Sequence, residues 1–404
     1  MSQIASMIAA SGASLDAFGR LRVSQPLTLF DSKQLSDNQS HVWDDQLVSG
    51  SGGASTYNTN QASTTLSVAA NTAAQRVRQT YRRFNYQPGK SQMFMCTGIL
   101  GTPATGITRR IGMFDANNGI FFESGPSNVA VVIRTKTSGS ASDTRFVQSS
   151  WNLDKLDETG PSQVTADWSR VQIIGAFFEW LGTGSVWFFV VINGQMIPVH
   201  RADHSNISTV VYMSTPNLPV RYEINNSGTG GAAGLTHMCS TVITEGGRSQ
   251  TGFPRYITRG STSFTTNNDS NLYPLIALRL KSTHLGCLID IENISIVCTT
   301  SASFEWVLML NPTVTGTALS FSSATTALEA DVATTNATTV SGGTFTTGEM
   351  RQQSNEGSSI AFPTSDFRIG SNIAGTADII VLAVRRFSVN AETFYASMNI
   401  KETC

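Results

Sequence analysis

Charge is what this 404-residue sequence has least of. Lys and Arg number 27, Asp and Glu 28, together 14% of the chain, with a formal net charge of −1, where soluble proteins carry roughly 25%. Such a surface gives no electrostatic footprint for nucleic acid or for an anionic membrane, so neither is expected as a partner. Long apolar runs are missing too. "VWFFVVI" (186–192) and "ADIIVLAV" (377–384) fall far short of the ~20 residues a helical span needs. The start, "MSQIASMIAASGASLDAFG", lacks the basic n-region of a secretion signal and reads as a flexible arm whose small side chains can pack on a neighbouring subunit. Cysteine is scarce, at five residues, and none has zinc spacing. They read as small buried hydrophobes in a chain made in a reducing cytoplasm, with the terminal Cys404 the candidate for an intermolecular disulfide.

Catalytic signatures are equally thin. No G-x-S-x-G elbow occurs, and "NNSGTGGAAG" (225–234) has neither the lysine of a P-loop nor a dinucleotide-binding register. No enzyme, metal or cofactor is expected.

What the sequence does have is strands. "GIFFE", "NVAVVIRTKT", "SRVQIIGAFFEW", "LIALRLK", "CLIDIENISIVCT" and "DIIVLAVRRFSV" are rich in Val, Ile and Phe and punctuated by Gly, Asn or Pro. In "VWFFVVINGQMIPVH", Asn193-Gly194 between apolar runs is a strong hairpin signal. Strands recurring at short spacing predict an all-β chain, a β-sandwich or jelly-roll. Three regions are expected: an extended docking arm and linker over 1–60, ending in "SGSGGASTYNTNQAS"; a main β-sandwich domain over 61–310; and a smaller C-terminal β segment or lobe over 311–404. Within the last, the Thr/Ser/Ala/Gly stretch 313–360 reads in isolation as linker, although alternating Thr with small residues also builds exposed strands.

Several constellations invite a functional reading. Asp290 and Glu292 lie two apart in a strand and so point to one face, as a glycosidase pair would; Asp154 and Asp157 are a second such pair. His200, Asp203 and His204 in "VHRADHSN" suggest a metal cluster, but no helix is present to bring the histidines together, and a solvated loop is the better reading. The basic cluster "RVRQTYRRFNYQPGKSQ" (76–92) interleaves arginine with aromatics. Arg76, Arg78 and Arg82 would share one strand face while Val77, Tyr81 and Arg83 share the other. In a nearly neutral chain this favours a protein interface over nucleic acid. Arg78, Tyr81, Arg82 and Arg83 are the candidates.

Read in order, "DAFGRLRVSQPLTLFDSKQ", "RRFNYQPGKSQ", "RIGMFDANNGIFFE", "WLGTGSVWFFVVINGQ", "STPNLPVRYEI" and "ITEGG" resemble a family of virion structural proteins of tailed bacteriophages. The resemblance runs from about residue 14 to 250 and continues more weakly to the end. It implies a particle component: capsid decoration, neck or collar, or tail-associated. It would be assembled in the host cytoplasm as a homo-oligomer, a trimer or ring, beside other phage head, neck or tail proteins. The sandwich expected in such proteins looks like the lectin-type, concanavalin-like jelly-roll. In the motif itself, Asp16 can pair with Arg20 or Arg22 across a turn at Gly19, Phe18 anchors the turn, and Pro26 keeps the following chain extended. These residues would let the arm add a strand to a neighbour's sheet, with sheet edges capped by other copies. The alternative is a host-recognition fibre or spike whose Trp43, Trp151 and Trp168 stack on surface glycans.

Overall fold

Alternation of apolar and polar residues becomes strand after strand. The computed structural model describes residues 25–246, 252–300, 302–352, 358–361 and 369–403, and the arm candidates Asp16, Phe18, Arg20 and Arg22, like Cys404, lie outside them. Helix among the described residues is confined to three 3-residue 3₁₀ turns.

The strands up to residue 245 are β1 (Pro26–Lys33), β2 (Trp43–Gly50), β3 (Gly53–Asn58), β4 (Ser63–Val68), β5 (Ala73–Thr80), β6 (Gln92–Ile99), β7 (Ile107–Phe114) and β8 (Gly119–Ser124). They continue as β9 (Val129–Thr135), β10 (Ser142–Val147), β11 (Gln172–Phe178), β12 (Val186–Ile192), β13 (Gln195–Ala202), β14 (Val220–Ser227) and β15 (Ala233–Glu245). They form two antiparallel sheets. One runs β13-β12-β11-β6-β15-β4-β3 with β1 also on β15; the other runs β10-β9-β8-β7-β14-β5-β2. Alternate residues of each sheet face the other: Phe94 and Cys96 of β6 and Ile174, Ala176 and Phe178 of β11 meet Ile111 and Met113 of β7 and Tyr222 and Ile224 of β14 in one buried cluster. Burial of such side chains is worth roughly 1.5–3 kcal/mol each, and this shared core holds the two sheets face to face as a β-sandwich. Asn193 and Gly194 take φ of 52° and 76° and join Ile192 to Gln195, the two-residue turn whose twist suits a hairpin.

A second pair of sheets follows. Its strands are β16 (Phe253–Thr258), β17 (Phe264–Thr265), β18 (Tyr273–Leu280), β19 (Leu288–Cys298), β20 (Ser303–Leu310), β21 (Thr313–Gly316) and β22 (Ser322–Ser323). After these come β23 (Leu328–Asp331), β24 (Thr338–Ser341), β25 (Thr344–Gln352), β26 (Ser358–Ala361), β27 (Ile379–Arg386) and β28 (Thr393–Thr403). The order is β16-β28-β19-β26, with β17 on β28, against β22-β23-β18-β27-β20-β25. These strands share a core of their own, including Ile276, Leu278, Ile294, Trp306, Leu382 and Met398.

The chain is therefore all-β, as its spacing predicts, but its divisions differ from the expected ones. Strand pairing changes partners between β15 and β16, so residues 253–310 join the second core instead of the first. Within 313–360, β22, β23 and β25 join the sheet built on β18, β27 and β20, while β21 and β24 pair with each other as a separate two-stranded ribbon from Thr313↔Ser341 to Gly316↔Thr338, where Val314 and Val340 pack with Val307 and Met309. Residues 26–58, expected as arm and linker, are strands of the first sandwich. Gly50 turns at φ 74°, where a Cβ would lie 1.9 Å from the Ala73 carbonyl oxygen, and the "linker" beyond it is β3, paired in register from Gly53↔Val68 to Asn58↔Ser63. The chain thus adds β1 to its own β15, from Pro26↔Glu245 to Lys33↔Cys239.

Candidate functional site

The basic cluster is placed first, because its arginines were the expected interface. Arg76 and Arg78 do share a face of β5, and both reach Asp45 of β2, at 2.6 and 3.2 Å. That face points into the sandwich. Arg78 is 0% exposed, donates to the Asn38 carbonyl and stacks over Trp43 at 5.2 Å. Its Nε donates to His237 Nδ1 at 3.2 Å, and Gln34 Nε2 donates to the same nitrogen at 2.7 Å. His237 Nε2 faces Ser240 Oγ at 3.1 Å. Burial, and after it the Arg78 charge, hold the His237 ring well below its ordinary pKa, so Nδ1 accepts and Nε2 carries the proton. Gln34 also takes the Thr64 hydroxyl, and Trp43 Nε1 donates to Ser32 Oγ at 2.9 Å. This enclosed node fastens the segment after β1 to both sheets. No spacing in the sequence announces it, since Gln34, Arg78 and His237 meet only through tertiary pairing.

Arg78 is consequently taken up inside the chain and unable to touch a partner. Arg83 pairs with Asp115 at 2.6 Å, and Arg82 stacks over Phe84 at 5.4 Å. Tyr81 meets the second lobe: its carbonyl accepts from Ser371 N at 3.3 Å, next to Ile373 N donating to Asp44 at 2.6 Å. The contact at Tyr81 is one between the two halves of the same chain.

The outer face of the seven-stranded sheet carries a ladder of charges. Glu223, Arg110 and Glu123 sit opposite one another on β14, β7 and β8, with Arg110 2.6 Å from Glu223 and 2.7 Å from Glu123. Arg145 adds a contact to Glu123 at 2.7 Å, and Arg221 Nε donates to Glu223 at 2.9 Å. Burial raises the Glu223 pKa, but Arg221 and Arg110 outweigh it and lower the carboxyl to about 2. Arg134 and Arg221 cover Phe121 and Phe114 at 5.1 and 5.4 Å. Phe122 enters the core, while Phe121 is buried under these arginines on the outer face.

The other expected sites come apart. Trp43, Trp151 and Trp168 are core residues, and Trp151 and Trp168 bond inward to the Phe146 carbonyl and to Gln148 Oε1. None offers a face for a sugar. Asp154 caps its own loop, accepting from Leu156 N at 2.9 Å and Ser162 N at 2.7 Å, and Asp157 does the same for Thr159 N at 3.0 Å. A bulge between Ile291 and Asn293 breaks the alternation that would put Asp290 and Glu292 on one face. Asp290 is buried, while Glu292 is half-exposed with Lys401 3.4 Å away. Cys96, Cys239 and Cys298 are free and Cys287 is disulfide-bonded, which corrects the reading of all the cysteines as plain buried hydrophobes.

His200, Asp203 and His204 make no metal cluster; among the described residues no group of three or more ligands does. They instead border a cleft of about 400 Å³ where the open edges β10 and β13 come together. Asp203 accepts from Arg201 Nε and Ser185 Oγ, each at 2.6 Å. His204 contacts the Gly184 carbonyl at 2.8 Å and stacks on Tyr212 at 4.2 Å. The His200 ring lies tilted against Phe146, with centroids 4.3 Å apart.

Two further surfaces escaped the sequence reading. In the second sandwich, edge strand β25 leaves Phe345 57% and Met350 70% exposed, and edge strand β16 leaves Phe253 70% and Tyr256 65% exposed. The two edges lie on opposite flanks. Glu402, beside β16, is bonded to Arg255 at 3.1 Å and to the Ala327 amide next to β23, whereas β25 is at the far end of that sheet from β23.

No family model matches the chain, and no curated protein does. Among solved structures it is similar to a Bacillus licheniformis β-glucanase at 12% identity, over 56% of this chain and 99% of that one, with a TM-score of 0.33. It is similar to peanut lectin with a 9-mer peptide at 12%, over 55% and 97%, with a TM-score of 0.32. The CBM2 module of an evolved Dit from Lactobacillus casei BL23 phage J-1 is similar at 11%, over 56% and 100%, with a TM-score of 0.35. At these identities and scores the likeness assigns neither activity nor ligand.

Proposed function

We propose that this chain is a structural component of a tailed-phage particle that works by self-assembly, its first sandwich a rigid body and its second the part that joins copies. The observation that carries the reading is the pair of edge strands β25 and β16 on opposite flanks, each unpaired on its outer side among the described residues and each carrying two exposed large apolar side chains. An unpaired strand is a template for pairing with another chain, and Phe345, Met350, Phe253 and Tyr256 are large apolar side chains held in water unless something covers them. Contacts between different flanks are head-to-tail, and head-to-tail contacts close into rings when the rotation allows. The motifs that resemble phage virion proteins, and a surface with little charge to desolvate on association, support the same reading.

Light scattering on the purified full-length chain tests it. A ring or other closed oligomer is expected, dissociating when Phe345→Asp and Met350→Asp are combined while the melting temperature is kept. A wild-type chain that stays monomeric, and is missing from purified particles, would overturn the proposal.

A further inference from the structure

The two outer faces of the first sandwich differ in chemistry. That of the seven-stranded sheet carries the charge ladder, whereas that of the eight-stranded sheet is apolar. An antiparallel sheet with one wet face alternates apolar and polar residues, but β12, "VWFFVVI", and β11, "QIIGAFF", are apolar at nearly every position. Phe188 and Val190 point into the core with Phe94, Ile174 and Phe178, so the residues between them point out. Met93, Phe177 and Trp187 form one outward row across β6, β11 and β12, and Ile173, Val191 and Met196 form another across β11, β12 and β13. In the row between, Phe189 lies over Gly175, where a Cβ would be 2.6 Å from its ring, with Met95 and Pro198 to either side. Met93, Met95, Phe177, Trp187 and Val191 are part-exposed, and Met196 is 45% exposed. The second sandwich reaches the first elsewhere, with Ile373 at Asp44, Ser371 at Tyr81 and Gly286 at Asn217. Charge stands only at the two margins of these rows and is matched there: Arg201 has Asp203 at 2.6 Å, and Asp31 has Lys33 at 3.4 Å.

We infer that this face is a two-fold interface with a second copy of the chain, the two eight-stranded sheets stacked outer face to outer face. A second copy fits on area, charge and shape. The rows cross six strands, from β13 to β1. At a strand spacing of about 4.8 Å and a same-face repeat of about 6.8 Å, three rows cover roughly 600 Å². Two copies would hide roughly 1,200 Å², the lower end of what specific interfaces bury. Matched margins around a neutral centre set no unpaired charge against its like when the face meets itself. A flat face three rows deep suits another sheet, packed about 10 Å away, better than one extended segment, which would cover a single strip. Methionine and aromatic side chains are also what interface cores favour, and the methionines can adapt to their partner. Such a contact is isologous, uses neither β16 nor β25, and does not depend on assembly through those edges.

The test is analytical ultracentrifugation of the full-length chain carrying Phe345→Asp and Met350→Asp, which removes the edge contact and leaves this face untouched. A dimer is expected. Adding Met95→Glu and Met196→Glu should turn it into a monomer, the dissociation constant rising roughly a hundredfold or more, because carboxylates would be buried against an apolar face. Methionine oxidation by dilute peroxide needs no variant. Met93 and Met95 of the wild-type chain should react slowly in concentrated solution and faster on dilution, while Met213, buried in the core, stays slow in both. A monomer before the glutamates are added, a dimer that survives them, or methionine reactivity independent of concentration would each overturn the inference. So would methionines uncovered by deleting residues 1–24 and not by dilution, since that segment would then be the occupant. A wild-type chain that forms dimers and no ring would support this contact and overturn only the one through β16 and β25.

Discussion

Replacing Arg78 with methionine separates a structural role from an interface role. The change keeps the length and apolar stem of the side chain but removes its guanidinium. What is lost is the donation to the Asn38 carbonyl, the 3.2 Å contact to His237 Nδ1 and the 3.2 Å ion pair with Asp45. Hydrogen bonds from charged groups contribute about 1.5–3 kcal/mol each, and removing one partner of a buried pair costs about 3–5 kcal/mol. Two features reduce that sum. Asp45 keeps Arg76 at 2.6 Å, so its charge is not left alone, and the guanidinium no longer has to be desolvated, the largest influence on its own lowered pKa. The net loss is about 3 kcal/mol, or about 6–12 °C in Tm for a sandwich of this size. Five of the six tryptophans lie before residue 246, so tryptophan fluorescence during urea or thermal unfolding follows the first sandwich. Light scattering on the same variant should give the wild-type mass. A variant with unchanged stability but altered mass would mean that Arg78 faces a partner after all, and would refute the buried node.

Acid should loosen the outer face of the seven-stranded sheet. Glu223 is lowered from 4.5 to about 2 by Arg221 and Arg110 acting against burial; its contribution, about 3 kcal/mol from the size of the shift, is complete above pH ~4.5 and drains away as the pH falls toward 2. Glu223→Gln should flatten that part of a stability-versus-pH curve, and an unchanged curve would show that the ladder is not its source. Gly50→Ala should cost about 2 kcal/mol or more by thermal melting, because it places a Cβ against the Ala73 carbonyl at a left-handed φ of 74°; a neutral result would mean the β2–β3 turn is not as described. Gln34→Leu should destabilise the first sandwich by about 1–3 kcal/mol by leaving buried partners unmet, and limited proteolysis should then cut ahead of β2. Protection equal to wild type would argue against the node as the fastening of β1.

Much of the fold was legible because it rests on local signals. The Val- and Ile-rich run "NVAVVIRT" is β9 and "GIFFE" is β8, and Asn193-Gly194 is the turn it promised. The division into lobes was not legible. Strands of both sandwiches look alike in sequence, and only pairing decides that Leu288–Cys298 belongs with Thr393–Thr403. Residues 26–33 differ from the expected arm for a related reason: Pro26 rightly signals extended chain, but an extended strand carries no mark saying whether its partner is its own β15 or a neighbour's edge. Arg78 leaves the set of interface candidates because it is buried, and periodicity in a two-sided sheet cannot supply burial. A strand whose two faces both end up covered reads the same as one with a wet face when its polar residues are arginines paired with carboxylates.

That last point bears on what low charge means here. Some of the few charges lie where water is scarce: Arg78 with Asp45, Arg110 and Arg221 with Glu223, Arg83 with Asp115. Each of these pairs neutralises itself within the chain, and with charged residues at 14% and a net charge of −1 the rest of the surface is sparsely charged and balanced in sign. A surface depleted in this way has weak long-range fields and a low cost of desolvation on contact. Such a surface would associate by shape and apolar area more than by steering, and edges such as β25 and β16 supply both. The proposed joining of copies through these edges on a nearly neutral body should therefore be insensitive to salt. Raising ionic strength from low to physiological should leave the oligomer mass unchanged, whereas an assembly held by exposed arginines would fall apart as screening increased.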